Sequence, residues 1–449
     1  MSETDLCSLP ATTLAAAIRD KEISPAEVTE AVLARITKLN PALNAFCVVL
    51  EREARTAAKK AESAVLKGEP VGRLHGVPVS IKDMMPMRGV RTMRGSAIFE
   101  YDVPHFDPPL VRRLKASGAI MLGKTCTPEF GWKGVTDSPV TGITRNPWNT
   151  DLTPGGSTGG GAAAVASGMG PLAQGGDGGG SIRIPAAFCG LYGLKPSFGR
   201  IPSTPAAPLE AMAHQGPITR TVADAALMLT VMAGPDDEDR YSLEGEPADY
   251  VGRLQEGIKG LKVAWSPDLG YAQVDAEVAR VCADAVKTFE GLGCVVEEVD
   301  PGIGDCTDLL RTYWLATNAG ALGDALAKWE SRMDPGLVEV IKEGLELKAT
   351  DYIKAQMARH QFWEKVHHFF VDYDLLITPT LAVLPFPVGK VCPDHFVDRP
   401  NGWITWTPFT YPFNFAQNPA ASVPAGFSSD GLPVGLQIVG RRHADLTVL

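Results

Sequence analysis

Two serines and one lysine carry the strongest chemical signal in this sequence. Ser157 stands in GGSTGG and Ser181 in GDGGGSIRIP, 24 residues apart, and Lys82 in SIKD lies 99 residues before the second serine. A serine hydroxyl is a weak nucleophile at neutral pH and needs a base within hydrogen-bond reach. A lysine can serve once burial disfavours its charged form. Glycines let a serine backbone approach a substrate carbonyl closely, and the successive N–H groups of Gly178, Gly179, Gly180 and Ser181 can converge on a developing oxyanion. These are the parts of an acyl-transfer site.

A competing pattern lies in the same stretch. Gly155–Gly159 reads GGSTG, formally the G-x-S-x-G turn that exposes the serine of many hydrolases. That turn needs a strand before it and an Asp and a His later in the chain. RNPWNTDLTP precedes it instead, with two prolines, two asparagines and no strand pattern. The later histidines (His214, His360, His367, His368, His395, His443) stand in no motif and read as structural or solvated.

The elements that must position these residues follow from patterning. Gly76–Asp83, GVPVSIKD, alternates Val77, Val79 and Ile81 as a half-buried strand does, which puts Lys82 at or just past the strand end. Ser24-Pro25-Ala26-Glu27 is a capping box with Pro at the first helical position. Val28, Val32, Leu33, Ile36 and Leu39 continue that helix until Pro41. Residues 107–117 read as a helix stopped by Gly118, with a buried strand over 119–122. A helix over 274–292 precedes a strand over 295–299, and 375–380 and 434–440 read as further strands. Helices alternating with short apolar strands predict an α/β fold. The glycine-dense segment 154–185 is no linker, because helix-forming AAAVA lies inside it and apolar AAFCGLYGL follows at once.

Composition excludes several classes. The 449 residues are 45% hydrophobic and 21% charged, enough to bury a large core. A net charge of −10 argues against nucleic-acid and membrane-surface partners, which require uncompensated Lys and Arg. The first residues carry Glu3 and Asp5 where a secretory signal is basic, and no run of about 18 apolar residues occurs, so a cytoplasmic address is expected. Cys7, Cys47, Cys126, Cys189, Cys282, Cys294, Cys306 and Cys392 form no CxxC pair. They read as buried small apolar residues rather than a disulfide framework or zinc site.

Taken in order, GVPVSIKD, GKTCTPEFGW, the run from RNPWNTDLTPGGSTGGG to GLYGLKPSFGRIP, GPITRTVADAA, and SVPAGFSSDGLPVGLQIVGRR closely resemble the amidase signature family over nearly the whole chain. The resemblance implies an amidase signature fold, a mixed twisted β-sheet core covered by helices on both faces. It implies one domain over 1–449: N-terminal helices in 1–70, a signature core with the triad in 71–230, and a variable substrate-pocket region with C-terminal strands in 231–449. It implies Ser181 as the nucleophile that forms the acyl-enzyme, Ser157 as a bridging serine joined to Gly156 by a cis peptide bond, and Lys82 as the terminal base. Thr158 keeps a hydroxyl where the family usually has a second serine, and Asp177 and Arg183 are expected to bracket the nucleophile loop in a charge-assisted contact. Gly176, Gly178 and Cys126 depart from the family's usual residues without touching the triad. No cofactor and no metal enter the implied scheme. Its partners are a small-molecule amide and water; the sequence does not give an oligomeric state, though a homodimer is a common outcome for soluble enzymes of this size.

Substrate is read from local composition. Asn401–Phe415 gathers Trp403, Trp406, Phe409, Tyr411, Phe413 and Phe415, and Phe130 and Trp132 add to them. Aromatics at this density build either a core or a pocket for aryl groups. The expectation is a serine hydrolase cleaving the C–N bond of an aryl or hydrophobic amide or anilide, with aryl carbamates (urethanes) in the same range. The alternative is the glutamine-hydrolysing subunit of a tRNA-dependent amidotransferase, which needs paired charges for a zwitterion. Near the aromatic stretch only Asp398 and Arg399 offer them. A non-catalytic scaffold would have lost a triad member, and all three are present.

Overall fold

Short apolar runs between the helices assemble into one 11-stranded sheet in the computed structural model, which describes residues 3–245 and 247–449. Across the sheet the strands are Phe46–Val49, Ile120–Thr125, Pro78–Lys82, Leu172–Asp177, His214–Thr219, Tyr192–Lys195, Ala420–Phe427, Pro433–Gly440, Leu375–Pro379, Lys262–Trp265 and Val295–Glu298. Pro78–Lys82 runs parallel to both its neighbours, and Lys262–Trp265 is parallel to Leu375–Pro379 and Val295–Glu298. The remaining pairs are antiparallel, so the sheet is mixed. Parallel pairs need crossover connections, and the helices supply them.

The strand carrying Lys82 departs from expectation in one respect. Its alternation predicts one wet face, yet all five residues of Pro78–Lys82 are buried. The strand is flanked by Ile120–Thr125 and Leu172–Asp177 and lies inside the sheet, where both faces are covered. Lys82 is its last residue.

Helix Pro25–Leu43 begins at the expected cap: Ser24 Oγ accepts the Ala26 N–H at 3.0 Å and the Ser24 N–H donates to Glu27 Oε2 at 3.1 Å. It runs through Pro41 rather than stopping there, and ends where Asn44 adopts the left-handed conformation and donates its N–H to Asn40 O. Helices Gly159–Ala166, Arg183–Cys189 and Ala276–Gly291 pack against the sheet. The first two bring the glycine-dense segment directly onto it.

The aromatic stretch belongs to the core. Trp406, Phe409, Tyr411, Phe413 and Phe415 are at most 1% exposed, with the Trp406 ring stacked on Phe188 at 5.9 Å. Only Trp403 of that group is partly open. Seven of the eight cysteines are buried, and Cys47 is half-buried.

Candidate active site

Lys82 is held by strand register. Its neighbour Ile81 pairs with Gln174, and the Lys82 N–H donates to Gln174 Oε1 at 3.3 Å. The side chain is 3% exposed and Nζ donates to Ser157 Oγ at 2.6 Å, with Gly176 O at 3.4 Å. Burial pushes its ammonium down to about 7 against the opposing pull of the Asp177 carboxylate. Near neutral pH this amine therefore exists in both protonation states.

Ser157 follows Gly156 through a cis peptide bond and is 2% exposed. At Gly156 an added Cβ would stand 2.6 Å from Val135 O, so no larger residue fits. The next residue couples the two serine loops: the Thr158 N–H donates to Ser181 O at 3.1 Å, and Thr158 Oγ1 donates to Gly176 O at 3.3 Å. Lys82, Ser157 and Ser181 line one cavity.

The loop carrying Ser181 is fixed by a fully buried ion pair. Arg183 Nε donates to Asp177 Oδ2 at 3.0 Å and Nη2 to Oδ1 at 2.9 Å. The guanidinium is then saturated by Thr410 O (2.7 Å), Gln437 Oε1 (2.7 Å) and Asn414 Oδ1 (2.6 Å). Burial alone would raise the Asp177 carboxyl, but Arg183, with Lys195 and Asn414, holds it well below the usual carboxylate range. The same carboxylate accepts the N–H groups of Gly180 (2.8 Å) and Ile182 (3.2 Å). The Gly180 N–H, expected to face an oxyanion, is instead committed to Asp177. Gly180 itself has φ +131, and a Cβ there would lie 2.4 Å from Thr410 Oγ1.

Thr410, Asn414 and Gln437 escaped the sequence reading. Thr410 Oγ1 also donates to Gly179 O at 2.7 Å, and Asn414 Nδ2 donates to Asp177 O at 2.9 Å. A signal existed: polar side chains interrupting buried apolar runs, FTYPFNF and VGLQIVG, must find partners. His214 lies at the cavity wall with Nδ1 2.7 Å from Met212 O, and burial holds its pKa well below the usual histidine range. It is a neutral wall residue.

The cavity measures about 330 Å³. Met84, Phe99, Phe130, Trp132, Leu209 and Trp314 form much of its apolar wall, and Thr317 and Asn318 add polar groups. Most of the lining comes from 82–215, and the helix Thr307–Leu322 supplies the rest. Among the described residues no three His, Cys, Asp or Glu side chains gather where a metal ion could be held, and no helix is long and apolar enough to cross a membrane.

With this geometry in place, comparison with known proteins identifies the class. The amidase family model matches residues 27–449, and the chain belongs to that family. It is 42% identical over 458 residues to an acylamidase from Rhodococcus erythropolis, covering 100% of this chain and 95% of that protein. Its structure matches that of a bacterial aryl acylamidase of the amidase signature enzymes with TM-score 0.90 and 33% identity, covering 98% of this chain and 94% of the other. It is also 34% identical over 459 residues to a glutamyl-tRNA(Gln) amidotransferase subunit from Alkaliphilus metalliredigens, covering 96% of this chain and 92% of that protein. The protein is an amide hydrolase that cleaves the C–N bond.

Proposed function

We propose that this hydrolysis runs through an acyl-enzyme on Ser181, with Ser157 as proton bridge and Lys82 as base, and that the substrate is an aryl or hydrophobic amide. The observation that carries the reading is the buried 2.6 Å contact between Lys82 Nζ and Ser157 Oγ, with burial lowering the amine to about 7. Neutral Lys82 takes the Ser157 proton as Ser157 takes that of Ser181, whose oxygen attacks the amide carbonyl. The N–H groups of Gly178, Gly179 and Ser181 face the charge that develops on the carbonyl oxygen. The relay then runs backward, the leaving amine receives the proton, and the C–N bond breaks. Water repeats the cycle on the acyl-enzyme and releases the acid.

The apolar wall of Phe99, Phe130, Trp132 and Trp314 supports an aryl or bulky apolar group, as does the likeness to acylamidases. An aryl carbamate presents the same carbonyl geometry and falls within the range. Glutamine hydrolysis is less well supported, because a zwitterion needs an anion as well as a cation and the wall's Asp177 is committed to Arg183. The test is turnover of acetanilide, benzamide, a phenyl carbamate, an aliphatic amide and glutamine by the wild type and Ser181→Ala. The reading expects the aryl members to be cleaved and the variant to be inactive. Turnover of glutamine alone would overturn it.

A further inference from the structure

We propose that Arg94 determines specificity: its guanidinium supplies a cation on the cavity wall for a carboxylate carried by the amide substrate away from the scissile bond. This rests on the aryl-amide reading above and names the substrate class more closely.

Arg94 is anchored on both sides by the catalytic elements. Its N–H donates to the carbonyl of Asp83, the residue after Lys82, at 3.1 Å. Its carbonyl accepts the Phe130 N–H at 2.8 Å. Gly131, next along, abuts the triad, since a Cβ there would lie 3.1 Å from Ser157 Oγ. The Arg94 backbone is therefore held relative to the reacting groups. Its Cζ lies 4.1 Å over the Phe99 ring, and a cation held on an aromatic face keeps its planar fork oriented.

The fork has capacity to spare. Arg94 Nε is buried and has no hydrogen-bond partner, while the Asp102 carboxylate lies 3.9 Å from Nη2, too far for a bidentate contact. Of the other charged groups on the wall, Asp177 is bound to Arg183, and burial lowers Lys82 toward neutrality. Asp102 and the buried Asp83 are the two carboxylates whose charge acts on Arg94, and Asp83 also has Lys124 within 3.8 Å. The side chain as a whole is 28% exposed and lines the cavity, so a carboxylate entering there meets the open part of the guanidinium, rather than the buried Nε, with charge-assisted hydrogen bonds. A ring lying against Phe99 and Phe130, with its acidic group turned to Arg94, fits both features of the wall.

The test uses 4-acetamidobenzoate and its neutral isostere 4-acetamidobenzamide, with binding to the Ser181→Ala protein measured by calorimetry so that turnover does not enter. The anion is expected to bind about tenfold tighter or more, as a hydrogen bond to a charged group allows. Arg94→Gln in the same background brings the ratio to about one, and Arg94→Lys, which keeps the charge without the fork, retains part of it. Equal binding by the Ser181→Ala protein, or a preference that survives Arg94→Gln, overturns the proposal and leaves only a structural cation stacked on Phe99. Wild-type turnover of acetanilide reads the underlying aryl-amide assignment separately, so either can fail alone.

Discussion

Lys82 decides the pH behaviour of the site. A lysine acts as a base only when neutral, and burial places its titration at about 7, so the neutral form dominates above that value and is lost below it. kcat/KM should rise with pH through about 7 and then level off, the apparent value belonging to the coupled Lys82, Ser157 and Ser181. A profile from about pH 5 to about 9 checks this; a flat one contradicts it. Lys82→Ala should lower kcat by about 10²–10⁴-fold. His214→Asn should leave the shape of the pH profile unchanged, because His214 is already neutral.

At the scale of elements, the nucleophile loop is held from the far end of the chain. Removing one member of a buried ion pair leaves the other uncompensated, so Arg183→Ala should cost about 3–5 kcal/mol in denaturant unfolding. A loss below about 1 kcal/mol would mean that Asp177 and Arg183 are not the tie described. The sequence made one half of this arrangement legible. The capping box at Ser24 and the strand end at Lys82 are local and readable from residue pattern, whereas the contact between Asp177 and Arg183 was implied by the resemblance to the amidase signature family. The partners that saturate Arg183 were not, because Thr410, Asn414 and Gln437 lie more than 200 residues away and only the tertiary fold brings them near. Spacing also could not foresee that Asp177 would take the Gly180 N–H. That contact spans only three residues and follows from the local turn of the loop around the carboxylate, which residue spacing does not specify.

For the whole molecule, the question is which aromatics make the core and which meet substrate. Composition could not separate them, since both environments favour large apolar rings. Burial does: Phe413 is fully buried, whereas Phe130 is half-buried on the cavity wall. Phe413→Ala should cost about 3–5 kcal/mol of stability without changing the preference between anilide and aliphatic amide. Phe130→Leu should raise KM for the anilide about three- to tenfold relative to the aliphatic amide. Denaturant titrations and paired kinetics on the two variants distinguish these effects, and the reverse pattern would move the substrate pocket into the aromatic stretch.

The central claim is the covalent step on Ser181, and trapping it is the most direct measurement. Wild-type protein mixed with an excess of an aryl acetate ester, quenched in acid within the first turnover and digested, should carry one acetyl group on the peptide containing Ser181. Ser181→Ala should carry none, and Lys82→Ala should acquire it far more slowly. An acetyl group found on Ser157, or full turnover by Ser181→Ala, would contradict the account.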